Sequence, residues 1–413
     1  MTARPSGTVD PGGGAPGHRN HDPAGRGAPR RFDDRPLLVF WETTKACSLA
    51  CVHCRASAQT TPGPDELSTA EGFALIDELA AVGSPRPILI LTGGDCLERP
   101  DLLDLVGHAQ ERRVPVAVAP SVTGKLRPEV LTGLRDRGVR TVSLSLDGAT
   151  PEVHDGVRGI PGHFDDTLRA IGLLQRHGFS VQINTTVMQA NLHQLADVAA
   201  LVADASVDAW EVFFLITTGR GSALAATTPT ENEEVCHFLV DASRYGFVVR
   251  TVEAPFYRRV AIERAGSEGT SPGRPPGTGS LYASLHDRLV TRLGPPEGPP
   301  RSPGATTRDG KGIVFVAADG DVHPSGFLPV AIGNVRHHRL MDLYRTDPLL
   351  RSIRASTFVG RCGTCDHHDR CGGSRSRAFA EHGDALGEDP GCVRTGEPGD
   401  TVRRTPAPAV LPA

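Results

Sequence analysis

From about residue 37 to residue 216, short apolar runs alternate with amphipathic stretches whose periods fit strand and helix in turn. Strands are predicted at Leu37–Trp41, Ile88–Leu91, Val116–Ala119, Thr141–Leu146, Val181–Val187 and Glu211–Ile216. Helices fill the gaps. The first is opened by a capping box, Ser68 with Glu71, and stopped by Gly83. Another starts at Pro128 and ends before Gly138; two more cover about 165–177, closed by Gly178, and about 192–204. Six βα repeats predict a parallel sheet, either curled toward a barrel or doubly wound. Outside this region the pattern fades. Residues 1–34 and 393–413 are expected to be disordered, being rich in Gly, Pro and Arg without an apolar period. A third such stretch, about 264–310, is expected to be a flexible insertion broken by an amphipathic piece at Leu281–Leu293.

The chain of 413 residues is long enough for two or three domains. Its formal net charge of −4 leaves no basic field for nucleic acid. No run of about 18 apolar residues occurs and the N-terminus lacks an export signal, so a cytoplasmic protein without a membrane span is expected. In that compartment, nine cysteines predict metal binding rather than disulfides.

Two cysteine groups carry the chemistry. Cys47, Cys51 and Cys54 follow the first predicted strand on one short loop. Three thiolates at this spacing can hold three irons of a cubane [4Fe–4S] cluster; with no fourth cysteine nearby, one iron stays open. Structural zinc competes by spacing alone, with His53 as a fourth ligand, although a residue adjacent to Cys54 would have to fold back onto the same ion. The second group is Cys362, Cys365, Cys371 and Cys392, where Gly363, Gly372 and Gly373 let the chain wrap closely around sulfur. Zinc competes here too.

The first group resembles the cluster loop of the radical S-adenosylmethionine (SAM) enzymes. The resemblance implies an α/β fold, a partial (β/α)6 TIM-like barrel over residues 35–255. A bridging segment over 256–310 and a small α+β cysteine-rich module, similar to SPASM or twitch domains, over 311–392 would follow. It also implies that SAM chelates the open iron and is cleaved reductively to a 5′-deoxyadenosyl radical. The electron would come from a reductase such as flavodoxin or ferredoxin. The run Leu91-Thr92-Gly93-Gly94-Asp95 resembles the family's Gly-Gly-Glu-Pro motif, with Cys96 where proline is usual; Cys96 is read as a packed small residue. Further implied SAM contacts are Ser121 after the third strand, Ser145 and Asp147 at the end of the fourth, and Asn184 and Thr186 on the fifth. Arg158 would fork onto the SAM carboxylate, and His53 matches the position whose backbone holds adenine. No catalytic side chain is assigned beyond cluster and SAM.

The second group resembles the second auxiliary cluster of SPASM domains. Ser325 and Ser374 stand at or beside positions where cysteines of the first would be. One auxiliary [4Fe–4S] cluster, closed by four cysteines, is therefore expected. Cys236 is read as a core thiol, and His337, His338, His367 and His368 as solvated. Arg250, Tyr257, Arg258 and Arg259 are candidates for facing an anionic substrate. The segments Gly310–Val316, His323–Pro329 and Gly333–Arg336 resemble a branch near the enzymes of alternative haem synthesis, which implies a tetrapyrrole or another small anionic substrate. Two alternatives stand. One is maturation of a ribosomal peptide by thioether or carbon–carbon crosslinks, disfavoured by a head too short and polar for a leader-binding domain. The other is a non-catalytic iron–sulfur or zinc scaffold. The reaction subclass (oxidoreductase, lyase or transferase) is open.

Overall fold

A computed structural model describes residues 32–267, 274–296, 298–301 and 307–394. The expected disordered head and tail lie outside these residues except at 32–34 and 393–394. Phe32 is already buried, and its carbonyl accepts a hydrogen bond from Tyr344 Oη at 2.7 Å. The described residues all fall in one compact unit.

The elements run in βα order. Strand β1 (Leu38–Glu42) precedes α1 (Thr69–Ala81), β2 (Ile88–Thr92) precedes α2 (Leu102–Glu111), and β3 (Val116–Val118) precedes α3 (Pro128–Asp136). Then come β4 (Thr141–Ser145), α4 (Pro151–Arg158), α5 (His163–Arg176), β5 (Ser180–Val187) and α6 (Leu195–Asp204). Strand β6 (Ala209–Phe214), α7 (Pro229–Ala242), β7 (Val248–Val252), α8 (Tyr257–Ser267) and α9 (Ser280–Leu293) follow. The capping box of α1 forms as its sequence predicts: Ser68 Oγ accepts from the Glu71 amide at 3.3 Å, and the Ser68 amide donates to Glu71 Oε2 at 2.8 Å.

The C-terminal part continues the same sheet. Strand β8 (Ile313–Val316) pairs with β1 in parallel, and β9 (Asp321–His323) and β10 (Gly333–Asn334) extend that edge antiparallel. Short helices α10 (Leu340–Thr346), α11 (Pro348–Arg354), α12 (Gly360–Thr364) and α13 (Arg375–His382) complete it. Strands β1 to β7 neighbour one another in chain order, each pair parallel. A doubly wound sheet reverses its order at a switch point; this one does not, which removes that alternative. Strand β7 is not among the six predicted, because Arg250 interrupts a short apolar run. Among the described residues β7 and β8 form no ladder with each other, so the sheet stays open between them.

The alternation along β5 positions the site. Val181, Ile183, Thr185 and Val187 are buried, while Ser180, Gln182, Asn184 and Thr186 are half-buried on the opposite, polar face. Helix α9, expected within a flexible insertion, packs against α6 and α7 instead, burying Leu281, Leu285 and Leu289.

Candidate active site and second cysteine centre

The loop after β1 is tied down before any ligand is considered. The Cys47 amide donates to the Gln59 carbonyl at 2.7 Å and the Gln59 amide to the Lys45 carbonyl at 2.9 Å, closing the loop at its base. The Val52 amide reaches the Val157 carbonyl on α4 at 2.9 Å. Gly93 and Gly94 run hard against this loop: a Cβ on Gly94 would lie 2.4 Å from the Ala46 carbonyl oxygen. Their smallness is therefore spent on the loop itself as well as on the cavity beyond.

Cys47, Cys51 and Cys54 share the wall of one cavity at the C-terminal ends of the strands. Gly93, Gly94 and Ser121 line it from β2 and β3, Ser145 from β4, and Asn184 and Thr186 from β5; His53 and Arg158 complete that wall. The sequence reading placed two more residues there that the structure places behind it. Asp95 is fully buried, its carboxylate accepting from the Leu97 amide (3.0 Å), the Ser121 amide (3.2 Å) and Thr123 Oγ1 (3.0 Å). Asp147 is also fully buried, accepting from the Thr186 amide at 2.7 Å and paired with Arg158 Nη2. Both acids brace the wall and neither faces the cavity, because buried carboxylates need several donors.

Arg158 links the two layers. Its other arm donates to Cys51 Sγ at 3.6 Å. Burial opposes ionisation of Asp147, but the Arg158 charge, then His53 and the Thr186 amide, hold its carboxyl below the ordinary range. The Asp147 amide donates to His154 Nδ1 at 3.0 Å, which leaves the proton on His154 Nε2. That nitrogen lies 2.9 Å from His163 Nδ1, and His163 Nε2 lies 3.0 Å from the Val122 carbonyl. One neutral tautomer on each ring satisfies the whole chain. Burial, then Arg158, lowers the His154 pKa to about 4, keeping it neutral. Among the described residues, three buried atoms on the cavity wall have no hydrogen-bond partner: His53 Nδ1, Arg158 Nε and Arg220 Nη2. Such orphans are uncommon in native interiors and mark a place for a polar ligand.

Sequence reasoning missed Arg55, Arg220, Phe213 and Phe327, all on this cavity. Arg220 Nε donates to the Cys51 carbonyl at 2.9 Å. A Cβ on Gly219 would lie 2.4 Å from the Arg55 carbonyl oxygen, and φ there is +56°. The signal available was the Gly219-Arg220-Gly221 run just past the sixth strand. Arg55 pairs with Glu42 at 3.0 Å and lies over Phe315 and Phe327, 4.7 and 5.9 Å from the ring centroids. Arg250, Tyr257, Arg258 and Arg259 do not gather around a substrate space. Arg250 donates to Gln182 Oε1 at 2.8 Å, Tyr257 is buried, Arg259 pairs with Glu233, and Arg258 reaches the Arg370 carbonyl.

The four C-terminal cysteines, three clustered at 362–371 and the fourth at 392, line a second cavity. His367 and His368 line it too, both still partly open to solvent, and His368 Nδ1 lies 2.8 Å from the Cys365 carbonyl. The Cys362 sulfur accepts from the Asp389 amide at 3.4 Å, and the Cys365 sulfur from the His367 amide at 3.4 Å. Among the described residues no three Cys, His, Asp or Glu side chains gather closely enough to hold one metal ion. Cys96 and Cys236 are fully buried in the core. Next to the second cavity, where cysteines were sought and serines found, lies a polar knot. Ser374 Oγ donates to Glu253; Ser376 Oγ, with one proton to give, lies 3.0 Å from Glu253 Oε1 and 2.9 Å from Asp309 Oδ2, and Ser325 Oγ lies 3.4 Å from Ser376 Oγ. Burial, then the charge of Asp309, pushes the Glu253 carboxyl well above its ordinary range.

Comparison with known proteins places this geometry. The family model described as the Radical SAM superfamily matches residues 41–202. The AdoMet-dependent heme synthase of Methanosarcina barkeri is 34% identical over 360 residues, covering 87% of this chain and 96% of that protein. The mycofactocin maturase MftC of Mycobacterium ulcerans is 31% identical over 368 residues, covering 87% and 89%. Among solved structures, Streptococcus suis SuiB bound to the precursor peptide SuiA aligns with a TM-score of 0.62 at 13% identity, covering 86% of this chain and 75% of that one. No helix among the described residues is long and apolar enough to cross a membrane.

Proposed function

This chain belongs to the radical SAM superfamily, and from that premise we propose that it removes carboxylate from the side chains of a tetrapyrrole. Cys47, Cys51 and Cys54 hold the SAM-binding cluster, and Cys362, Cys365, Cys371 and Cys392 hold one auxiliary cluster. The first assignment is supported by the family match over residues 41–202, and the second by four cysteines lining one cavity. When bound, the first cluster and SAM supply a 5′-deoxyadenosyl radical that takes a hydrogen atom from the substrate, after an electron arrives from a reduced flavodoxin or ferredoxin in the cytoplasm.

The protein's own part is binding and orientation. Gly93, Gly94, Ser121, Ser145, Asn184 and Thr186 present small and polar groups to SAM, and the orphaned Arg158 Nε and His53 Nδ1 find partners on it. Asp95 and Asp147 fix the backbone and the guanidinium that do the holding. Arg55 and Arg220, beside Phe213 and Phe327, offer cations and flat apolar faces, as a planar ring bearing carboxylates requires.

The observation that carries the tetrapyrrole reading is the match to the heme synthase along nearly its full length. The match to the mycofactocin maturase, nearly as long, keeps peptide maturation as the second reading. The test is anaerobic reconstitution with dithionite, SAM and either coproporphyrin or its iron complex. Formation of 5′-deoxyadenosine with loss of carbon dioxide and hydrogen from the porphyrin supports the proposal. Well-loaded protein that cleaves SAM but leaves both porphyrins intact refutes the substrate.

A further inference from the structure

Behind the second cysteine cavity stand three arginines, Arg258, Arg308 and Arg375, that form no ion pair among the described residues, whereas Arg259 and Arg394 in its lining are paired with glutamates. Arg375 is completely buried. Its Nη2 donates to Cys362 Sγ at 3.7 Å, and its Nη1 to the carbonyls of Ala385 (3.1 Å) and Gly387 (2.6 Å). Arg308, 5% exposed, donates to the Cys371 carbonyl (3.1 Å), the Ile353 carbonyl (3.0 Å) and Ser356 Oγ (2.7 Å). Both guanidiniums lie against Phe358, at 4.4 and 5.1 Å from its ring centroid. Arg258 reaches the Arg370 carbonyl at 3.2 Å. The ion pairs nearby belong to other arginines, Arg259 with Glu233 and Arg377 with Asp389; among the described residues Arg258, Arg308 and Arg375 form none.

Backbone carbonyls solvate a guanidinium but do not neutralise it, and a buried cation without a counter-charge is strongly destabilising. The geometry therefore calls for an anion in the cavity that the four cysteines line. Thiolate-ligated iron–sulfur centres supply one, because their net charge is negative and resides largely on sulfur. Nearby positive charge and hydrogen bonds to those sulfurs are among the levers that set reduction potential. The first centre differs in kind: the one arginine on its sulfur, Arg158, is already cancelled by Asp147.

We propose that Arg375, supported by Arg308 and Arg258, is the counter-charge of the second centre and holds its reduction potential up. Arg375 is a positioning and tuning residue, not a catalytic one. The inference rests on the reading above that the four cysteines hold an iron–sulfur cluster.

The test uses full-length protein, reconstituted anaerobically in a Cys51→Ala background so that only the second centre contributes. Its reduction is followed by EPR against redox mediators of known potential. Arg375→Gln should lower the equilibrium constant for reduction at least about tenfold, which is ~59 mV for a one-electron couple. Arg375→Lys, keeping the charge but losing the fork, should fall by less. Arg361→Gln, removing an exposed cation at the cavity rim, should change it less than about threefold, since water and salt screen it. Where Arg375→Gln fails to fold, Arg308→Gln replaces it and should lower the constant severalfold. An unchanged potential in the variant that loads its iron overturns this proposal alone. Zinc in place of iron in the Cys51→Ala protein overturns it together with the cluster reading beneath it.

Discussion

The two cysteine centres differ in what surrounds the sulfur. Around Cys47, Cys51 and Cys54 the arginine on sulfur is paired, Arg158 with Asp147, and Arg55 pairs with Glu42, while Arg220 holds backbone carbonyls and the polar atoms left over line an open cavity. Around Cys362, Cys365, Cys371 and Cys392 the lining Arg259 and Arg394 are paired with glutamates, but behind them Arg258, Arg308 and Arg375 form no ion pair among the described residues. Glycine backbone closes over the sulfurs: a Cβ on Gly373 would lie 3.0 Å from Cys362 Sγ. Cysteine sulfur thus sits in one environment with orphaned polar atoms beside open space and in another backed by buried arginines without an ion pair.

The contrast is sharpest if each centre is removed in turn. Cys51→Ala should abolish 5′-deoxyadenosine formation, whereas Cys371→Ala should leave uncoupled SAM cleavage within about threefold of the parent while turnover of substrate is lost. Chromatographic assay of 5′-deoxyadenosine beside product analysis separates the two; equal loss of SAM cleavage in both would erase the distinction. Next in size is the brace at the first centre. Asp147→Asn leaves the buried Arg158 charge unmatched, so it should cost about 3–5 kcal/mol of stability and weaken SAM binding at least about tenfold. Thermal melts and SAM titration read these, and unchanged values in both would show that Arg158 does not depend on Asp147.

A smaller effect is expected beside the second centre. Because burial and Asp309 push the Glu253 carboxyl well above its ordinary range, Glu253→Gln should cost less than about 1 kcal/mol, whereas Ser376→Val, which takes the hydroxyl away from both Glu253 and Asp309, should cost about 1–3 kcal/mol. Chemical denaturation compares them; the reverse ranking would mean that Glu253 is ionised in the fold. The last expected effect is one of pH at the first centre. Folded His154 protonates only near pH 4, while in the unfolded chain it does so near its ordinary 6.5. Between those values the unfolded state binds more protons, so stability should fall as pH drops from about 6.5 toward 4. The slope of melting temperature against pH should be shallower in His154→Gln; an identical slope would place the titration elsewhere.

Much of this was legible in the chain. The capping box at Ser68, the stops at Gly83 and Gly178 and the apolar periods placed helices and strands because those signals are local. Spacing alone brought Cys47, Cys51 and Cys54 together, since seven residues of loop cannot separate far. What the sequence hid is contact between distant segments. Nothing in the local pattern says that Asp95 and Asp147 turn inward to backbone amides, that Arg220 returns from beyond β6 to the cluster loop, or that β8 pairs with β1 and merges the C-terminal segment into the same sheet. The unpaired arginines were invisible for the same reason: the absence of a partner is a property of the fold.

The most direct measurement is the EPR spectrum of two reduced, iron-loaded variants with and without SAM, Cys371→Ala keeping only the first centre and Cys51→Ala only the second. The account predicts that SAM changes the spectrum of the first-centre protein and leaves the second-centre protein untouched. A response from the second centre, or none from either, would contradict it.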